Sequence, residues 1–158
     1  MGDGYEFGFY RGKYIAASRN VIVVEHNYRL GALGLLALPQ LRAASIHNST
    51  GNLALQDQLE ALAFVYRNIA EFTGNPKQIT IFGESAGAFS VCWHLVNPIS
   101  RQYFSTAVMQ SGTCAAPEFF ISLKRGEEKL GWMESPMYAP SYAVAVIVFF
   151  FVEILERE

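Results

Sequence analysis

Charge is scarce in this sequence. Only 16% of its 158 residues are Asp, Glu, Lys or Arg, and they leave a net charge of −2. That balance supplies no basic surface for nucleic acid or for an anionic membrane. Cysteine is scarcer still. Cys92 and Cys114 are the only two, too few for a disulfide framework. A pair of buried thiols fits them best, with a single bridge left open. No basic stretch followed by an apolar one opens the chain, so it carries no recognisable secretory leader. The longest apolar run, Tyr142 to Val152, has 11 residues, well short of the roughly 20 that a membrane-spanning helix needs. Nothing calls for a metal or another cofactor. Apolar residues, by contrast, make up 51% of the chain. This is the composition of a folded chain with a sizeable core, not of a disordered one.

The apolar residues are arranged as alternating strands and helices. Val21-Ile22-Val23-Val24 is a β-branched run, apolar on both faces, as suits a strand covered by helices on both sides. Gly31 and Gly34 punctuate an apolar loop, and the stretch from Ala43 to Asn52 is small and polar. It contains Asn48-Ser49-Thr50, a glycosylation sequon that matters only in a secreted protein. Leu55, Leu59, Leu62, Tyr66 and Ile69 then recur at helical spacing, with Asn52 as the expected N-cap and Gly74-Asn75-Pro76 as the stop. Ile79 to Phe82 predicts a second strand, Gly83 to Gly87 a tight turn, Ala88 to Val96 a second helix and Thr106 to Met109 a third strand. The fold class expected from this order is α/β, a mostly parallel sheet with crossover helices. The organisation expected is a body over residues 1–115 and a divergent tail over 116–158. The apolar run in the tail reads as a buried strand or helix, or as sequence never selected to fold there.

The chemistry lies in Gly83-Glu84-Ser85-Ala86-Gly87, of the form G-x-S-x-G. The pattern alone is weak, because glycine and serine often meet in turns. Its setting between a β-branched strand and a helix is the one a nucleophile elbow requires. The chain must reverse from strand to helix within a few residues. The residues flanking the serine then pass so close together that only glycine fits. Ser85 Oγ would project from the C-terminal edge of the sheet, with the N–H of Ala86 placed to donate to a developing oxyanion. The plainer alternative is a structural turn that happens to contain a serine.

At this point the sequence resembles the type-B carboxylesterases, the α/β-hydrolase family that includes the cholinesterases. The resemblance is carried in unbroken order by Asn27-Tyr28-Arg29-Leu30-Gly31-Ala32-Leu33-Gly34, Gly51-Asn52-Leu53, Leu55-Gln56-Asp57-Gln58, Asn68-Ile69, Phe82 to Gly87 and Gln110-Ser111-Gly112-Thr113. It covers residues 1 to about 115 and fades after Ala116. It implies a partial α/β-hydrolase fold and a serine esterase acting through an acyl-enzyme on a small-molecule ester. Ser85 matches the nucleophile. Asp3 and Gly4 match two further oxyanion donors, although the Gly-rich stretch from Gly2 to Gly8 also reads as a frayed terminus. Glu84 matches the glutamate that modulates the site's electrostatics, and Ser111 a serine just behind the reacting groups. Arg29 and Asp57 match a buried ion pair that ties the loop after the first strand to the long helix. Full-length members are often secreted or held in the endoplasmic reticulum lumen, so the compartment stays open.

A serine nucleophile also needs a base, and in this fold the order is Ser, then an acid, then His. The chain has three histidines. His26 and His47 precede Ser85. His94 follows it, but inside the next helix, where packing is its expected role. The family's acid and His would lie beyond residue 158, and Met1 falls in the middle of a functional loop. The expectation is therefore a truncated piece with the nucleophile present and the triad incomplete. The alternative is a catalytically silent, cholinesterase-like domain used for binding or adhesion.

Overall fold

A computed structural model describes residues 12–46, 48–115 and 148–154. The chain divides into two compact units. One contains Tyr28–Asp57, and the other contains the described residues of Gly2–Asn27, Gln58–Cys114 and Val144–Glu158. The helices are α1 (Lys13–Arg19), α2 (Gly31–Leu35), α3 (Pro39–Ala44), α4 (Leu53–Asn68) and α5 (Ala86–Val96). The strands are β1 (Val21–Glu25), β2 (Gly74–Glu84), β3 (Thr106–Gln110) and β4 (Val148–Ile154).

All four strands belong to the second unit and form one sheet in the order β1-β4-β2-β3. The three strands read from the sequence share one direction, and β2 pairs directly with β3 in parallel. The tail contributes the fourth. β4 lies between β1 and β2, antiparallel to both, with Val23 opposite Phe151 and Ile81 opposite Phe150. Of the outcomes open for the apolar run, a strand is the one realised by its described residues, 148–152. A β-branched and aromatic segment suits that interior position, where it completes the backbone ladders of two neighbours at once.

The core of this unit gathers Leu62, Val65 and Ile69 from α4 and the end of its helical stretch, Ile79 and Ile81 from β2, Val91 from α5 and Val152 from β4. Ile22 and Val24 of β1 pack against the same cluster. Side chains alternate along a strand, so Val23 faces the other way. There it meets Gly12, where an added Cβ would lie 2.5 Å from Val23 Cγ1. Thus α1 covers the opposite face of β1, an element that the sequence pattern did not reveal.

The buried stripe of α4 differs from the expected one. Leu62 and Ile69 are buried, but Tyr66 is exposed and Leu55 and Leu59 are only half-buried. Gln58 and Val65 take their places. A pattern of apolar residues cannot register a buried glutamine, and Gln58 is admitted because its amide is fully engaged, as described below.

The helix stop also works differently from the sequence reading. After α4 a 3-10 turn covers Ile69–Phe72, and Thr73, not Gly74, takes the left-handed conformation, at φ 66°. Gly74 already belongs to β2. Its lack of a side chain answers a close approach, since a Cβ there would lie 2.5 Å from Ile69 Cγ1. Pro76 is accommodated because the β2–β4 register shifts between Gly74 and Ile79, and proline, which cannot donate, is tolerated at such an irregularity. Asn75 Oδ1 accepts from the N–H of Lys77 at 3.0 Å and shapes the same kink.

In the first unit, the loop expected around Gly31 and Gly34 is the short helix α2. Gly34 lets it pack closely, because a Cβ would come within 2.2 Å of the Arg29 carbonyl oxygen. Pro39 opens α3 from its first turn, the position where its missing N–H costs nothing.

If β4 holds the middle of the sheet, Val152 should be among the most sensitive positions in the tail. Val152→Ala should lower stability by about 2 kcal/mol. Val152→Asp, which would bury an unpaired polar group, should cost about 3 kcal/mol or more. Urea midpoints of the two variants test this, and an unchanged midpoint for Val152→Asp would remove β4 from the sheet.

Candidate active site

The G-x-S-x-G turn has the geometry its spacing predicts. β2 ends at Glu84 and α5 begins at Ala86. Ser85 between them has φ 53° and ψ −116°, a conformation that non-glycine residues rarely adopt and that marks a constrained site. The turn is tight because the two glycines touch. A Cβ on Gly83 would lie 2.2 Å from the Gly87 carbonyl oxygen and 2.9 Å from the Ala88 nitrogen. Any other residue at 83 would force the strand and the helix apart. Hydrogen bonds close the turn from both sides: the Ser85 N–H donates to the Gln110 carbonyl at 2.9 Å, and the Ser85 carbonyl accepts from Ala88 at 2.9 Å.

The segment after β3 buttresses the elbow. A Cβ on Gly112 would lie 2.5 Å from Ala88 Cβ and 3.2 Å from the Ser85 carbonyl oxygen. Ser111, at φ 57°, is exposed. Cys114 is bonded to Cys92 on α5, with their Cα atoms 5.5 Å apart. The expectation of two free thiols is therefore overturned. Sequence separation alone could not show that the chain after β3 returns to α5. Closing a loop of this size contributes on the order of 3 kcal/mol in the chain-entropy account.

Ala86 occupies the first position of α5, where backbone N–H groups have no partner within the helix and the helix dipole favours negative charge. Glu84 is half-buried at the strand end beside Ser85. Asp3, Gly4 and His47 lie outside the described residues. No group of three or more His, Cys, Asp or Glu side chains that could hold a metal occurs among the described residues.

A chain of buried polar groups runs beneath the elbow, and no pattern in the sequence signals it. Ser100 Oγ donates to His94 Nδ1 at 3.0 Å. His94 Nε2 donates to Gln58 Oε1 at 3.2 Å. Gln58 Nε2 donates to Ser90 Oγ at 3.3 Å, and Ser90 Oγ donates to the Ala86 carbonyl at 3.2 Å. Only one tautomer of His94, neutral and protonated on Nε2, satisfies all four bonds. His94 is fully enclosed, 0% exposed. Burial first, and the nearby His26 second, push its pKa from 6.5 down to about 4. Both ring nitrogens are engaged, so His94 packs and positions; it is not a base facing Ser85.

Arg29 and Asp57, in the other unit, do pair. Arg29 Nε donates to Asp57 Oδ2 at 2.8 Å, Nη2 to Oδ1 at 2.5 Å, and the Arg29 backbone N–H to Oδ2 at 2.9 Å. The hydrogen bond to Asp57 raises the Arg29 pKa. The pair is not buried as expected: the side chains are 50% and 24% exposed. A bidentate fork at the surface fixes geometry more than it adds stability.

The enclosed histidine sets a pH dependence. Unfolded, His94 takes a proton near 6.5; folded, only near 4. Between those values the unfolded state binds more protons, so the His94 contribution should lower stability as pH falls through this window and be constant on either side of it. The total loss is on the order of 3 kcal/mol. A urea-midpoint series across the window should show the slope, and His94→Gln should flatten it.

The comparisons with known proteins agree with this geometry. The profile described as the carboxylesterase family matches residues 1–131, extending the likeness beyond the expected limit near Ala116. The chain is 50% identical over 121 residues to the cholinesterase of Mus musculus, covering 73% of this chain and 19% of that protein. It is 46% identical over 122 residues to the acetylcholinesterase of Myxine glutinosa, covering 74% and 34%. The crystal structure of a Geobacillus stearothermophilus carboxylesterase is 44% identical and superposes with a TM-score of 0.52, over 56% of this chain and 18% of that one. The chain thus spans a fifth to a third of the length of these curated relatives. On this match and this elbow, the chain belongs to the carboxylesterase family, with the α/β-hydrolase architecture of that family over the part it spans.

Proposed function

We propose that this chain is the nucleophile-bearing part of a serine carboxylic-ester hydrolase. The observation that carries this reading is the backbone of Ser85, held at positive φ between β2 and α5 by the contact of Gly83 with Gly87. A structural turn has no need of that strain at a serine. The substrate class is a small carboxylic ester, as the family membership suggests.

In the reaction, Ser85 Oγ attacks the ester carbonyl carbon and gives up its proton to a base. The carbonyl oxygen becomes an oxyanion, stabilised by the N–H of Ala86 and, by resemblance, those of Asp3 and Gly4. Collapse of this tetrahedral species expels the alcohol and leaves an acyl-serine, which water then hydrolyses. Glu84, next to the nucleophile, adds negative charge that favours a protonated base. The segment carrying Ser111 holds the elbow in place.

The base is the missing part. It follows the nucleophile in this fold, and His94, the one histidine after Ser85, has both ring nitrogens occupied by Ser100 and Gln58. Without a base the chain by itself should turn over esters weakly, because loss of triad function removes several orders of magnitude of rate.

Two measurements on the purified chain test this. A fluorophosphonate probe should label Ser85 slowly, and Ser85→Ala should abolish the label; absence of labelling would remove the nucleophile. Turnover of an activated ester should be low and little changed by Ser85→Ala. Fast turnover lost on that substitution would show that the chain contains its own base.

A further inference from the structure

We propose that Asn48 is a site of N-linked glycosylation, acquired while the chain is entering an oxidising secretory lumen. The acceptor triplet is Asn48-Ser49-Thr50, with no proline at its centre. Asn48 sits at the turn between α3 and α4, exposed, at φ 50°. Its N–H donates to the Ser45 carbonyl at 3.0 Å, which holds the turn while the side chain faces solvent. A glycan on Nδ2 is therefore compatible with the folded chain.

Thr50 has the opposite environment. It is only 4% exposed. Its hydroxyl donates to the Leu36 carbonyl at 3.2 Å and accepts from the Leu38 N–H at 3.3 Å. The hydroxyl that completes the acceptor triplet is thus enclosed by the fold, so a transferase can reach it only before the turn closes. This fixes the timing: transfer precedes folding, and the Thr50 hydroxyl then turns inward while the glycan stays outside.

An independent observation supports the compartment. Cys92 and Cys114 are bonded to each other, and such bonds form and persist where the surroundings are oxidising. These are the conditions of the lumen in which oligosaccharide is transferred to nascent chains. The donor is an oligosaccharide linked through pyrophosphate to a lipid. Asn48 Nδ2 attacks the anomeric carbon, an N–C bond forms and the C–O bond to the pyrophosphate breaks. The lipid pyrophosphate leaves with the electron pair, and the amide nitrogen loses one proton to the transferase.

The test uses the full chain, brought into the lumen of eukaryotic cells by a cleavable leader, with Asn48→Gln and Thr50→Ser beside it. Peptide N-glycosidase should increase the gel mobility of the parent chain and of Thr50→Ser, which keeps the hydroxyl, and leave Asn48→Gln unmoved. Peptide mass spectrometry should find aspartate at position 48 after the treatment. A non-reducing peptide map of the same material reports the Cys92–Cys114 bond. A bonded chain whose mobility the enzyme does not change would overturn the proposal, as would a chain neither bonded nor glycosylated. The folded, bacterially made chain, given transferase and lipid-linked oligosaccharide, should remain unmodified, whereas its unfolded form should be modified. Equal modification of both would overturn the proposed order of events.

Discussion

The second unit is organised around one close contact, that of Gly83 with Gly87. A strand cannot become a helix within two residues unless its last turn and the helix's first turn nearly touch. Neither glycine has a side chain to hold them apart. That contact drives Ser85 to positive φ and presents it at the end of β2, and it starts α5 at Ala86. Gln110 and Gly112 then fit against the turn from the neighbouring strand, so the same contact also determines where the chain runs after β3.

The buried polar chain from Ser100 to Ala86 shows how such a turn is supported from beneath. Four hydrogen bonds link the short turn after α5, the middle of α5, α4 and the carbonyl of Ala86, the residue after Ser85. A buried amide and a buried imidazole would each be costly without a partner. Together they satisfy one another and admit a single arrangement of donors and acceptors. Specificity of this kind suits a place where the backbone is held in a constrained conformation, as it is at Ser85.

Two features of the second unit depend on residues far apart in sequence. The Cys92–Cys114 bond fastens the segment after β3 to α5. β4, drawn from the tail, joins β1 to β2 without a direct pairing between those two strands. Each replaces covalently or by hydrogen bonding what a local turn would otherwise have to provide.

The local features are legible in the order of residues alone. The strand, the two glycines at the elbow and the following helix were legible because crowding, β-branching and helical spacing act over a few residues. So was the partnership of Arg29 with Asp57, through resemblance. Tertiary structure decided what depends on distant partners. Gln58 and His94 are buried because they meet each other. Gly74 is glycine because Ile69 passes beside it, not because it ends a helix. Arg29 is half exposed, although the resemblance names its partner. Cys92 and Cys114 are bonded because α5 and the chain after β3 lie together. Val148–Ile154 is a strand because β1 and β2 leave a place between them. No periodicity within a window of residues encodes such meetings, since burial and pairing are properties of the surroundings that a side chain reaches after folding.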